Sequence, residues 1–335
     1  MDRMRVLITG ICGFVGSHVF EHFILNTDFE IIGLDKLSYA SDGFNRLRDT
    51  GYYEDKRLHL FSADFTHPVS PGLTKEIGKI DYILHLGGET HVDRSLQDGL
   101  PFAINNVVGT TNLLEWVKNY QPKLKKFIQF STDEVYGPAV EELFFKEWDT
   151  MRPSNPYAAS KAGADMMAYA YGHAFDIPII ITRSMNIVGQ RQCVEKFIPK
   201  TIKAILANEK VIIHGSSIEN LSSRCWIHAR NVADALLFLL NRDFSFFPDM
   251  CHIVGVEKTV LDIANIICQE IKGRDLEEDE IEFLDFHKAR KGHDKRYAMS
   301  GEKLKRLGWL PTISLEESIR KIVRWTLENK KWLEI

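Results

Sequence analysis

A chain of 335 residues is long enough for one large α/β core and a smaller lobe. Its 42 basic and 46 acidic residues are interspersed and leave a formal charge of −4, which excludes the broad basic face that a polyanion such as nucleic acid requires. The five cysteines (Cys12, Cys193, Cys225, Cys251 and Cys268) are odd in number, scattered and never spaced C-x-x-C, so neither a disulfide framework nor a zinc cluster is expected, and a reducing cytoplasm fits best.

The first apolar run, residues 6–8, follows Arg3 and Arg5 much as a secretory leader would begin. Gly10, Gly13 and Gly16 interrupt it too early, and it reads as a strand. Nowhere do eighteen apolar residues run together, so no membrane-spanning helix is expected. Further β-branched runs at 31–32, 82–84, 127–130 and 179–181 alternate with helical patterns and each precede a Gly-rich or polar turn. Runs without polar alternation suit strands buried on both faces. The expected fold class is therefore α/β, a doubly wound parallel sheet of the Rossmann type with ligands at the carboxyl ends of its strands. After about Asn186 the pattern loosens, at Pro199, at residues 215–223 and at the acidic run 277–282, and a smaller C-terminal lobe is expected there. An apolar helix at 231–240 and a short strand at 251–254 indicate that the chain revisits the first unit. The expected division is 1–185, with return segments near 225–255, and 186–335.

Directly after the first strand stands Thr9-Gly10-Ile11-Cys12-Gly13-Phe14-Val15-Gly16, followed by a helical pattern over 17–25. Strand, glycine turn and helix in that order let a backbone approach a pyrophosphate at a helix N-terminus, so Gly10, Gly13, Phe14, Val15 and Gly16 are candidate cofactor contacts. The spacing is G-x-x-G-x-x-G, weak alone and stronger in this context. The second strand ends at Asp35, about 20 residues on, where a carboxylate can bond the adenosine ribose hydroxyls and repel a 2′-phosphate; this favours NAD for the 1–185 unit. Lys36 beside it offers a cation to NADP in the alternative reading. Asp64 and Phe65 follow the strand-like residues 58–61; Asp64 either receives the adenine amino group or closes a surface turn.

Mid-chain, Ser131-Thr132-Asp133-Glu134-Val135-Tyr136-Gly137 ends a strand, and Asn155-Pro156-Tyr157-Ala158-Ala159-Ser160-Lys161 follows. Tyr157 and Lys161, four apart, share one helical face. A phenol is a poor base at neutral pH, but the Lys161 ammonium and a positive nicotinamide ring would favour its ionised form. His85, His91, His228 and His293 match no ligand spacing, and no metal is expected.

These motifs resemble the extended short-chain dehydrogenase/reductase family, and within it the nucleotide-sugar 4,6-dehydratases that act on dTDP-glucose or UDP-glucose. The resemblance runs from about Met4 to Trp332 and is carried further by residues 34–40 (L-D-K-L-S-Y-A), 89–95 (E-T-H-V-D-R-S), 195–199 (E-K-F-I-P), 292–298 (G-H-D-K-R-Y-A) and 307–311 (L-G-W-L-P). It implies bound NAD, a nucleoside-diphosphate glucose substrate (dTDP-glucose favoured) and a homodimer paired through helices near 103–120 and 157–174. It also implies roles: Tyr157 takes the O4 proton with Thr132 and Lys161 assisting, Glu134 takes the C5 proton, and a protonated Asp133 serves O6. Thr90 is expected near cofactor and sugar, with Asn186, Glu195, Lys196, Arg224, His252, His293 and Arg296 around the substrate, 186–335 forming the nucleotide-sugar lobe. The chain departs from the pattern at Gly87-Gly88, Ile187, Val188, His252 and Lys291. Two other readings stay open: a sugar 4-epimerase, which needs no acid pair, and an NAD-binding regulatory protein without turnover.

Overall fold

The computed structural model describes residues 3–140, 142–284 and 296–334. Strand and helix alternate from the start: β1 (Arg5–Thr9), α1 (Phe14–Asn26), β2 (Glu30–Asp35), α2 (Asn45–Arg48), β3 (Leu58–Ser62), α3 (Pro71–Ile77), β4 (Tyr82–His85), α4 (Val92–Gln97), α5 (Leu100–Phe102). A π-helical stretch, Ala103–Val108, runs into α6 (Gly109–Tyr120); then come β5 (Lys126–Thr132), a 3-10 turn Asp133–Tyr136, α7 (Pro156–Phe175) and β6 (Ile179–Ser184). The second part contains β7 (Asn186–Val188), α8 (Phe197–Ala207), β8 (Val211–Ser217), β9 (Asn220–Leu221), β10 (Ser223–His228), α9 (Ala229–Asn241), β11 (Asp249–Ile253), β12 (Val256–Thr259), α10 (Val260–Lys272) and β13 (Ile281–Leu284). Helices Glu302–Arg306 and Leu315–Glu328 and a 3-10 turn Lys330–Leu333 follow.

Seven strands form one parallel sheet in the order β11-β6-β5-β4-β1-β2-β3. Alternation along each strand divides two cores. Val6, Ile8, Ile31, Leu84, Ile128 and Ile180 pack with α1 and α9 on one face, while Leu7, Ile32, Ile83, Phe127, Ile179 and Ile181 pack with α6 and α7 on the other. All twelve are completely buried, each worth roughly 1.5–3 kcal/mol. That two-sided burial explains why these strands read as unbroken apolar runs. The late strand β11 extends the sheet beside β6, and α9 packs on α1.

The polar stretch 215–223 departs from the expected loosening. It is a hairpin, β8 turning into β9 with Gly215 against Leu221, followed at once by β10. Two three-stranded sheets, β12-β10-β7 and β13-β8-β9, carry the second part, whose core joins Ile202, Ile213, Ile263, Ile267 and Ile319. β10 runs parallel to β7 with Trp226 beside Asn186, which sets this lobe across the carboxyl ends of β5 and β6.

Candidate active site

β1 runs directly into Gly10, whose φ of +69° suits glycine, and a Cβ there would lie 2.7 Å from Gly87 Cα. A Cβ on Gly16 would stand 2.1 Å from the Gly10 carbonyl oxygen. A larger residue at Gly10 would push the turn away from the segment that follows β4, and one at Gly16 would push the turn and α1 apart. The result is an α1 N-terminus that opens, without a side-chain cap, on the floor of a groove at the point where the strand order reverses on either side of β1.

This groove encloses about 970 Å³ and is lined by Gly10, Gly13, Phe14, Val15 and Gly16, by Asp35, Lys36 and Phe65, and by Thr90, Glu195 and Lys196. Asp35 is buried; its Oδ2 accepts the Cys12 N–H at 2.9 Å and its Oδ1 the Leu37 N–H at 2.8 Å. Burial pushes this carboxyl upward, and the two backbone donors with the nearby Lys36 and Arg46 cations pull it back. Lys36 Nζ meets Glu89 Oε1 at 2.9 Å, so its charge is paired at the groove wall. Asp64 Oδ1 accepts the Thr66 N–H at 2.9 Å, which closes a turn, and the residue lines a neighbouring hollow with Leu34 and His67 that shares Phe65 with the groove.

A second cavity of about 1120 Å³ continues from the first, sharing Phe14, Val15, Gly88, Thr90 and Lys196. The 3-10 turn after β5 and the start of α7 bring Thr132, Asp133, Glu134, Tyr157 and Lys161 to its wall. Thr132 Oγ1 donates to Asp133 Oδ1 at 3.1 Å and accepts the Glu134 N–H at 3.3 Å. Asp133 is only 5% exposed, and its Oδ2 is buried without a hydrogen-bond partner among the described residues. Burial first, then the neighbouring Glu134, pushes its pKa up to about 7. Such a carboxyl is a proton donor at neutral pH.

For Tyr157 the ionised form was expected to be favoured by Lys161 and the nicotinamide ring together, and the protein's groups alone do not favour it. Burial, then Glu134, drives its phenol upward, and the Thr132 hydroxyl pulls the other way. Lys161, itself pushed down by burial, donates from Nζ to the Phe130 carbonyl at 2.6 Å. The protein's own groups therefore hold Tyr157 neutral.

Asn155 was not singled out from the sequence. Its Oδ1 accepts the Ala158 N–H at 2.8 Å and so caps α7, and its Nδ2 donates to Glu134 Oε2 at 3.0 Å. Asn followed by Pro is a legible helix start, but the bond to Glu134 crosses a loop that local patterns do not report. Glu89, Ile187 and Trp226 are further wall residues; Ile187 had been noted only as a departure.

The candidate substrate residues divide. Asn186 and Lys196 line the second cavity, and Glu195 faces the first while paired with His91 at 3.4 Å. Among the described residues, the walls of the two cavities include neither Arg224 nor Arg296. Arg224 donates to the Ser223 carbonyl at 2.7 Å and lies 5.2 Å from the Tyr297 ring centre, yet its charge reaches Asp133. Arg296 grips Glu257 through two bonds of 2.7 and 3.0 Å and donates to the carbonyls of Val140 and Leu143. His252 is corrected: it lies fully buried in β11, donating to the Ser300 carbonyl (3.1 Å) and accepting from Tyr136 (2.7 Å), with burial lowering its pKa to about 3. Although β11 is the edge strand of the sheet, the His252 ring is fully enclosed there and lies outside both cavity walls. His293 and Lys291 lie outside the described residues.

A doubly wound sheet whose switch-point groove runs into Tyr-x-x-x-Lys defines a protein of the short-chain dehydrogenase/reductase fold. More narrowly, the chain belongs to the GDP-mannose 4,6 dehydratase family, whose sequence model matches residues 7–322. It is 35% identical to the dTDP-D-glucose 4,6-dehydratase of Mus musculus over 97% of this chain and 89% of that protein. It is also 34% identical to an Arabidopsis thaliana trifunctional UDP-glucose 4,6-dehydratase/UDP-4-keto-6-deoxy-D-glucose 3,5-epimerase/UDP-4-keto-L-rhamnose-reductase, over 98% of this chain and 48% of that longer protein. The structure of the Streptomyces venezuelae dTDP-glucose 4,6-dehydratase, solved with NAD bound, superposes with a TM-score of 0.86 at 31% identity, covering 99% of both chains.

Proposed function

We propose that the chain is an NAD-dependent nucleotide-sugar 4,6-dehydratase acting on a nucleoside-diphosphate glucose, dTDP-glucose before UDP-glucose. The observation that carries this reading is the buried Asp133, with a pKa near 7, beside Glu134 on the wall that also holds Tyr157. Oxidation alone, as in a 4-epimerase, has no use for an acid and a base beyond the tyrosine.

The groove fits a dinucleotide. The open α1 N-terminus suits a pyrophosphate, the Asp35 carboxylate retains lone pairs for ribose hydroxyls, and Lys36 is neutralised by Glu89, which favours NAD over NADP. A Cβ on Gly88 would reach within 3.1 Å of Asn106 Oδ1 and 3.8 Å of Lys161 Nζ, so the missing side chain leaves that passage open between the two cavities. When bound there, NAD supplies the acceptor for the C4 hydride and its later donor to C6.

Tyr157 Oη takes the O4 proton. Burial disfavours its ionised form, so it serves as a base only with positive charge at hand, which Lys161 contributes one turn along α7. The C4 ketone acidifies C5–H, and Glu134, steadied by the Asn155 amide, accepts that proton. Asp133 delivers its proton to O6, which leaves as water. Glu134 then returns a proton to C5 as C6 is reduced. The residues 1–185, with β11 and α9, would hold the cofactor and 186–335 the nucleotide.

Incubation with dTDP-glucose and UDP-glucose separately, read by the 4-keto chromophore in alkali, tests this. A chromophore with either supports the dehydratase, a 4-epimer without it supports the epimerase, and no turnover with either supports a binding protein. A cytoplasmic site agrees with five unpaired cysteines, four of them buried, and among the described residues no helix is long and apolar enough to cross a membrane. A homodimer is favoured by the exposed Ile104, Val108, Met166 and Tyr169, carried by the π-helical stretch and α7.

A further inference from the structure

Arg46 lies on the single turn of α2, outside both cavity walls, and is only 2% exposed. A buried guanidinium is costly unless every donor is used and a carboxylate neutralises it. Among the described residues no carboxylate pairs with Arg46. Its partners are instead the chain itself: Nη1 donates to the Ala40 carbonyl at 2.7 Å, Nε to the Arg191 carbonyl at 2.9 Å and Nη2 to Cys193 Sγ at 3.1 Å, with the Trp332 ring centre 5.2 Å away.

Those partners belong to two loops 145 residues or more apart in sequence, and both wall the groove: Tyr39, Ala40 and Ser41 on one side, Gln192 and Cys193 on the other. The second loop needs holding. Arg191 sits at φ +63°, a region that side-chain-bearing residues seldom adopt, and its backbone is fixed by an ion pair to Glu21 and by the bond from Arg46. Arg46 also lies close enough to Asp35 for its charge to favour the ionised carboxyl.

We propose that Arg46 is a positioning residue that sets the groove's affinity for the adenosine end of the dinucleotide by fastening its two walling loops to each other. This rests on the NAD reading above. Arg46 thus governs cofactor affinity while lining neither cavity itself.

The test titrates NAD and, separately, AMP into the full-length protein by calorimetry, for wild type, Arg46→Ala, Arg46→Lys and Cys193→Ala. Arg46→Lys keeps the charge and the aliphatic stem against Trp332 but cannot span three acceptors, and it carries the test if Arg46→Ala fails to fold. The expected result is a tenfold or greater loss for NAD in Arg46→Lys, a matching loss for AMP, a smaller loss in Cys193→Ala, and a KM for the sugar nucleotide within twofold of wild type at saturating NAD. A purely structural role would lower the melting temperature and leave the AMP affinity of the folded protein alone. NAD and AMP binding within twofold of wild type in Arg46→Lys overturns the inference while leaving the cofactor reading intact. Wild-type protein that binds neither overturns the cofactor reading and this inference with it.

Discussion

Asp133 and Glu134 are neighbours in sequence but sit in different electrostatic situations. Asp133 has one oxygen on Thr132 and the other buried without a partner among the described residues, whereas Glu134 is held by an amide donor. Because the Asp133 pKa is raised to about 7, its proton-donating form prevails below that pH and is lost above it. The elimination rate is therefore expected to fall on the alkaline side of about pH 7, and Asp133→Asn should abolish that limb while lowering the rate by about 10²–10⁴. Stability follows the same sign. A carboxyl whose folded pKa exceeds its unfolded value binds more protons when folded, so stability drops as pH rises from the ordinary carboxyl range to about 7. Thermal melts at pH 8 should then show Asp133→Asn more stable than wild type, by up to about 4 kcal/mol; equal melts would mean that Asp133 is an ordinary ionised carboxylate. For Glu134→Gln the C4 hydrogen should still leave while deuterium from solvent no longer enters C5. Undiminished C5 exchange, followed by NMR, would remove Glu134 from the mechanism.

At the scale of elements, α7 does two jobs from its first turn. Asn155 caps it and Pro156 opens it, as N-terminal signals do, and that much was readable from N-P-Y. The same amide bonds Glu134, so cap and base are fastened together. Two substitutions separate these roles. Asn155→Asp keeps a good cap yet sets a second carboxylate against Glu134, so turnover should fall at least tenfold while stability changes by less than about 0.5 kcal/mol from the cap. Asn155→Ala loses both, at about 1 kcal/mol in melting experiments. If Asn155→Asp keeps full turnover, the bond to Glu134 is structural only. Where pairing follows local periodicity the sheet was legible: β1, β2, β4, β5 and β6 fall on the apolar runs, and β11 on the late strand at 251–254. The hairpin at 215–223 was not, because its pairing of Gly215 with Leu221 rests on register and not on apolar content.

Over the whole molecule, contacts that sequence could not report include some spanning a hundred residues or more. Tyr136 joins His252 across 116 positions, which moves that histidine out of the cleft, and Arg46 joins Arg191 across 145. The constellation of Thr132, Asp133, Glu134, Tyr157 and Lys161 was legible because each group sits at a strand end or helix start whose place the fold class fixes. The same fixed geometry bears on assembly. The stretch Ala103–Val108 and α7 pack on each other and together leave Ile104, Val108, Met166 and Tyr169 exposed, each by more than a third. Exposed apolar side chains on a packed helix pair are covered at little cost by an identical face related by a two-fold axis. Light scattering should therefore give a mass of two chains, and Ile104→Arg with Met166→Arg should give one, since each arginine would be buried unpaired at the seam. Because α7 also carries Tyr157 and Lys161, separation should lower turnover without abolishing it. A mass of one chain for wild type would place the exposed face against some other partner.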